Sequence, residues 1–326
     1  MFTATSQHRA MRGGTREGNH GQEGITAMAV VGVNAAGDTP VALSPIAPAL
    51  ALLPPGAPVT IMIHGYRFSP LRAATDPHAE IFSPRPRFGN ARIISWPKRL
   101  GYSRGTPGLA IGFGWHASST IWQAHAEAAR AAVALARLVA ELRGMGAGPV
   151  GVIGHSLGAR VALQAMQHLA PGDLGRVILL SAAEFRDRAE AALATPCGRA
   201  AQILNVTSRE NDLFDFLFER LIGGPMRVFG PAVGEGLSAP NAVTLQIDGA
   251  HHRAGLRALG FPTAAPTRLV CHWSGYMRPG LFPLYRAFLH RPDALPLHAL
   301  RAALPVDTAH RWSRLLARPL PGGAPA

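Results

Sequence analysis

Gly154-His155-Ser156-Leu157-Gly158 places a serine between two glycines, directly after the β-branched run Val150 to Ile153 and directly before a helical pattern. An ordinary strand-to-helix turn can also satisfy G-x-S-x-G, so the weight falls on this context, which is that of a nucleophile elbow. Turning from strand to helix within one or two residues forces the serine into strained backbone angles and requires small neighbours. Its Oγ is thereby lifted above the sheet edge at a helix N-terminus, where it can attack an acyl carbon if a base and oxyanion donors are at hand. A second motif supplies the donors. His64-Gly65-Tyr66 ends the wholly apolar strand VTIMI, residues 59–63. The backbone N–H groups of Tyr66 and Leu157 are the expected oxyanion pair. His64 caps a strand in this reading, and its ring is not needed for chemistry.

Through IMIHGY at 61–66 and VIGHSLG at 152–158 the chain resembles the α/β-hydrolase family, over roughly Val59 to Arg286. The resemblance implies an eight-stranded, mostly parallel sheet flanked by helices on both faces. It also implies a Ser-acid-His triad in that chain order, no cofactor, and hydrolysis of an ester, thioester or amide. It implies no particular substrate, since esterases, lipases, thioesterases and acyltransferases look alike at this level.

The acid of such a triad follows the serine, at the C-terminal end of a later strand, where it orients the imidazole. Asp212, on the loop after Ile203 to Val206, is the first candidate, and Glu184, after Val177 to Leu180, is the rival. Asp215, one helical turn beyond Asp212, reads as a surface residue of a helix over Leu213 to Leu221. For the base, His272 is preferred because Trp273 and Tyr276 can hold its ring in one orientation. His251 is the alternative, but His251-His252-Arg253 reads as a solvated cationic cluster, which disfavours the protonated ring.

The elements that must position these groups alternate between strand and helix patterns from Met28 onward, the signature of a mostly parallel sheet. Strands are expected at Ala29–Val33, Val59–Ile63, Arg92–Ser95, Val150–Ile153, Val177–Leu180, Ile203–Val206, Val243–Ile247 and Arg268–Cys271. A long Ala-rich helix is expected over Ser118–Arg143 and the elbow helix over Leu157–Leu169. Gly105 to His116, apolar and glycine-rich, reads as a flexible segment lining an acyl pocket or forming a lid. The expected organisation is a disordered extension over 1–27, with Met28 a possible start, then one α/β domain over 28–300 and a basic helical tail over 301–326.

With 326 residues, 48% hydrophobic and 16% charged, the chain has material for a large core, which excludes a disulfide scaffold or a disordered tail protein. The net charge of +13 is nearly all arginine, Lys98 being the only lysine, and is spread along the chain as a compositional bias would spread it. No nucleic-acid-binding motif accompanies it, so no nucleic-acid partner is expected. Its sharpest concentration, Arg85, Arg87, Arg92, Lys98, Arg99 and Arg104 without an acidic residue, reads as a solvated loop or as a rim attracting an anionic acyl substrate. The tail HRWSRLLARPL either packs on the core or touches an anionic membrane surface. Cys197 and Cys271 stand without ligand-spaced partners, so no metal site is expected and a reducing, cytoplasmic setting is the default.

The sequence thus points to a serine hydrolase acting on a small-molecule ester or thioester through Ser156, Asp212 and His272. Two readings compete with it: a non-catalytic binding module on the same fold, and an acyltransferase differing only in its acceptor.

Overall fold

The computed structural model describes residues 29–87, 93–102, 108–223 and 232–305. Eight strands form one sheet: β1 (Ala29–Ala36), β2 (Thr39–Ala42), β3 (Val59–Ile63), β4 (Leu109–Gly114), β5 (Val150–His155), β6 (Leu174–Leu180), β7 (Gln202–Thr207) and β8 (Ala242–Gln246). Their spatial order is β2-β1-β4-β3-β5-β6-β7-β8. Only the β1–β2 hairpin at one edge is antiparallel.

The central strands are apolar on both faces because both faces are covered. Ile61, Ile63, Val152, Val177 and Leu179 point into a core roofed by the long helix Ile121–Gly144 and the elbow helix Leu157–Ala165. Met62, Ile153, Ile178 and Leu180 alternate with them into a second core, built with Trp96, Leu256, Leu284, Phe288 and Leu300 from helices on the opposite face. Each fully buried side chain of this size contributes about 1.5–3 kcal/mol relative to exposure. The period-2 alternation therefore fixes the register of the sheet. Thr120 starts the long helix with a reciprocal capping box to Gln123.

Two expected strands differ. Arg92 lies outside the described residues, and Ile93 to Ser95 are not a strand; Ser95 instead caps the short helix Trp96–Arg99, with Pro97 in its first turn. The place next to β3 is taken by Leu109–Gly114, the segment expected to be a flexible lid, which is buried along its whole length. Its glycines are what hid it. A Cβ at Gly112 would stand 2.8 Å from the Phe82 ring, so the strand needs glycine where a β-branched residue would have signalled it. Arg268–Cys271 is also not a strand. Arg268, Leu269 and Val270 are exposed, and β8 pairs only with β7.

The C-terminal part of the chain divides. Leu281–His290 and Leu297–Ala303 are helices packed on the second core, the latter crossing the expected boundary at 300. HRWSRLLARPL, like the extension 1–27 and the basic residues Arg92 and Arg104, lies outside the described residues. Among the described residues no helix is long and apolar enough to cross a membrane.

Candidate active site

Chain order in the sheet reverses around β3, which leads to β4 on one side while β5 continues on the other. In open α/β sheets ligands bind outside the carboxyl ends of the strands at such a switch point. Both sequence motifs sit there, HGY after β3 and the elbow at the end of β5, and the two strands are paired from Thr60–Gly151 to Ile63–Gly154.

Ser156 has φ 55° and ψ −122°, a strained geometry for a residue with a side chain. Its N–H donates to the Leu180 carbonyl at 2.9 Å, and its own carbonyl accepts from Ala183 N–H at 3.1 Å, so the next strand end holds the turn from both sides. Among the described residues the non-glycine residues with positive φ are Arg67, Ser156 and Ser181. All three follow the C-terminal ends of adjacent strands, so backbone strain is concentrated at one edge. A Cβ on Gly65 would stand 2.8 Å from Ser156 Cβ, and one on Gly158 would stand 2.5 Å from the carbonyl oxygens of Ile63 and His64. The glycines thus let the turn after β3 and the start of the elbow helix close on each other. Gly154 serves the same end, since a Cβ there would stand 2.7 Å from the Gly158 carbonyl oxygen. The N–H of Leu157 lies in the first turn of the helix, where no intrahelical acceptor exists.

His64 is structural. Its Nδ1–H donates to the Gly65 carbonyl at 2.9 Å, and its Nε2 accepts from Trp115 N–H at 3.0 Å. Burial holds its pKa at about 3, so the ring stays neutral. The adjoining Tyr66 hydroxyl donates to the Ser119 carbonyl at 2.8 Å, anchoring the turn.

His272 lies against the elbow. Its ring centroid is 4.6 Å from that of His155, and His155 Nε2–H donates to the His272 carbonyl at 3.0 Å. Phe214 stacks on the His272 ring at 4.7 Å and 27°, with Trp273 edge-on at 6.0 Å. The backbone around it is tied down by Cys271 N–H to the Glu210 carbonyl at 2.7 Å, Tyr285 hydroxyl to the Gly275 carbonyl at 2.5 Å, and Arg278 to the Ile247 carbonyl at 2.5 Å. Arg278 also pairs with the Glu210 carboxylate, which fastens this segment to the loop after β7. Burial, and then the neighbouring His155, hold the His272 pKa well below the ordinary histidine value, while burial holds that of His155 at about 4.

The group that meets His272 Nδ1 is Asn211 Oδ1, at 2.6 Å, and Asn211 Nδ2 in turn donates to Asp215 Oδ1 at 2.9 Å. Asp212, the expected acid, is the next residue after Asn211 and is buried as the first residue of the helix Asp212–Gly223. Asn211 carries no charge, so nothing in its residue type or spacing marks it in the sequence. Asp215, expected on the surface, is buried and engaged. Glu184 is committed elsewhere: its carboxylate pairs with buried Arg160 and accepts from Phe185 N–H at 2.9 Å. It also lines a cavity of about 210 Å³ with Gln164, Gln167 and Arg188, between the elbow helix and the helix Arg186–Leu193. His251 is exposed in the first turn of the helix Ala250–Ala258 and takes no part in the contacts described around the elbow.

Sheet, elbow and order of elements decide the architecture. The fold is that of the α/β-hydrolases. No family model matches the sequence, and no curated protein matches it. Among solved structures it is similar to the mature form of Bacillus licheniformis lipase BlEst2, at TM-score 0.41 and 14% identity over 73% of this chain and 94% of that one. It is also similar to Aspergillus fumigatus lipase B, at TM-score 0.34 and 13% identity over 77% of this chain and 58% of that one.

Among the described residues no group of three or more His, Cys, Asp or Glu side chains is placed to hold a metal ion. Nor does a hydrogen bond join Ser156 Oγ to His272 Nε2, a contact that in unliganded sites is often long and tightens only with substrate. The arrangement offers a strained serine, two candidate amide donors and a neutral histidine whose Nδ1 is engaged.

Proposed function

We propose that the protein is a serine hydrolase that cleaves an ester or thioester through an acyl-enzyme. The observation that carries this reading is the backbone of Ser156, strained to φ 55° at the C-terminal end of β5 and closed against the His64-Gly65-Tyr66 turn. Strain of this kind is retained where the position of one side chain matters. His272 Nε2 takes the proton from Ser156 Oγ as the oxygen attacks the acyl carbon. The N–H groups of Tyr66 and Leu157 hold the oxyanion, each worth about 3 kcal/mol of transition-state stabilisation. His272 returns the proton to the leaving alkoxide or thiolate, then takes one from the water that attacks the acyl-enzyme and restores Ser156. The orienting role expected of Asp212 falls to its neighbour Asn211.

An apolar acyl group suits this site. Phe214, stacked on His272, begins a stripe on the helix Asp212–Gly223 that continues through exposed Leu217 and Leu221 at i, i+3, i+7 spacing. Trp122, 56% exposed, donates its Nε1–H to the Leu221 carbonyl and extends the stripe to the long helix.

The test is labelling of purified protein with a fluorophosphonate and turnover of p-nitrophenyl esters of increasing chain length. Ser156→Ala is expected to abolish both, lowering kcat by roughly 10⁴-fold or more with an unchanged fold. Wild-type protein that neither labels nor turns over would establish the non-catalytic binding module instead, and transfer to an added alcohol or thiol in preference to water would establish an acyltransferase.

A further inference from the structure

We propose that Asp215 is a positioning residue for His272, acting through Asn211: its carboxylate sets the direction of a hydrogen-bond chain and, with it, the tautomer of the base. The proposal rests on the serine-hydrolase reading for its catalytic meaning, while its structural half stands on the chain itself.

A carboxylate only accepts hydrogen bonds, so the atom of Asn211 that faces Asp215 Oδ1 must be the amide nitrogen. The amide oxygen then faces His272 Nδ1, and because a carbonyl oxygen also only accepts, the imidazole proton must sit on Nδ1. The lone pair is left on Nε2, the nitrogen that can take a proton from Ser156. A reversed amide would present N–H to Nδ1, drive the proton to Nε2 and leave the ring unable to act as a base. The two ends of an amide are nearly equal in size, so Asn211 alone has no steric preference between these states. Asp215 removes the degeneracy.

Geometry supports this division of labour. Asn211 and Asp215 are four residues apart at the start of a helix, which puts them on one face, whereas Asp212, at i+1 from Asn211, is on another. They are 1% and 3% exposed, so bulk water does not compete for either partner. A carboxylate at position 211 would fix the tautomer unaided; an amide there needs a director, and the structure supplies one at hydrogen-bond distance.

The experiment compares wild type, Asp215→Asn and the exchanged pair Asn211→Asp/Asp215→Asn. It reads steady-state kinetics on a p-nitrophenyl ester and the ¹⁵N signature of the His272 ring. With Asp215→Asn the ring is expected to become a mixture of tautomers, and kcat to fall roughly 10- to 100-fold with KM changed less than about twofold. In the exchanged pair the carboxylate moved to position 211 accepts from His272 Nδ1–H and from the amide moved to position 215, so the Nδ1–H tautomer and most of kcat are expected to return. Moving the carboxylate would not repair a loss that came from Asp215 merely supporting the fold. A Nδ1–H tautomer retained in Asp215→Asn overturns the proposal, whatever happens to kcat. If Asp215→Asn fails to fold, the exchanged pair decides: absence of the Nδ1–H tautomer there overturns it. The tautomer readout needs no turnover, so a failure of the serine-hydrolase reading shows separately, as an unlabelled and inactive wild type with its tautomer intact.

Discussion

His64 follows β3 and His272 lies against the elbow at the end of β5, each stacked on an aromatic ring, Trp115 at 5.6 Å for the first and Phe214 at 4.7 Å for the second. Each has its pKa lowered, foremost by burial. They differ in how their nitrogens are used. His64 has both engaged by backbone groups, so its ring is a strut between the turn after β3 and the strand end at Trp115. His272 has Nδ1 engaged by a directed amide, while Nε2 makes no hydrogen bond among the described residues. Burial and a shifted pKa therefore do not mark a base, because both rings have them. On the proposed reading, what separates a working imidazole from a structural one is half-satisfaction beside the serine.

The comparison breaks most visibly under alanine substitution. His272→Ala is expected to lower kcat by roughly 10³- to 10⁵-fold with little change in melting temperature. His64→Ala is expected to act the other way round, costing about 3 kcal/mol of stability by opening a cavity and orphaning the Trp115 N–H. Parallel kinetics and denaturant titrations check this, and a stable but inactive His64→Ala would reverse the assignment of roles.

The same logic extends to the carboxylates. Glu184→Gln should leave Arg160 buried without its partner and cost about 3 kcal/mol, with kcat unaffected in the folded protein. A large loss of kcat at equal stability would instead restore Glu184 as the acid of the triad.

Per pH unit, the smallest effect comes from titration. His64, His155 and His290 have folded-state pKa values of about 3, 4 and 4, below the ordinary histidine value of 6.5. The unfolded chain therefore binds protons first. Their contribution to stability is complete above pH 6.5 and is lost as pH falls toward 4 and 3, by up to about 1.4 kcal/mol per histidine per pH unit. Activity should follow the same sign, since the proposed base His272 can take a proton only while neutral. Its lowered pKa places the acid limb of kcat/KM well below 6.5, and a limb at or above 6.5 would show that a carboxylate, not Asn211, faces Nδ1.

The sheet and the elbow are readable in the sequence because their signals are local. A strand, a serine between glycines and a helix occur in one stretch, and VTIMI can be nothing but buried on both faces. β4 is unreadable because Gly112 answers to Phe82, thirty positions away, and Gly114 to Asn34 and His78, and RIIS looks more like a strand than LAIGFG. The orienting group is hidden for a related reason. Helical periodicity alone puts Asp215 on the surface. The segment Cys271–Arg278, tied to Glu210 and Ile247, brings His272 to Asn211. Partnerships made by tertiary placement leave no trace in spacing.

The contacts of Gly65 and Gly158 carry a consequence for how this protein can change. A Cβ on either glycine would stand closer to the other motif's backbone or to Ser156 itself than a side chain tolerates, so the two turns behave as a keyed joint. Neither half can acquire a methyl group without being forced off the other. Exposed Leu217 and Leu221 on the helix Asp212–Gly223, and exposed Leu269 and Val270, contribute nothing to that joint. Variation in what the site accepts is therefore free to accumulate at those positions, as fittings around a hinge pin that itself stays fixed.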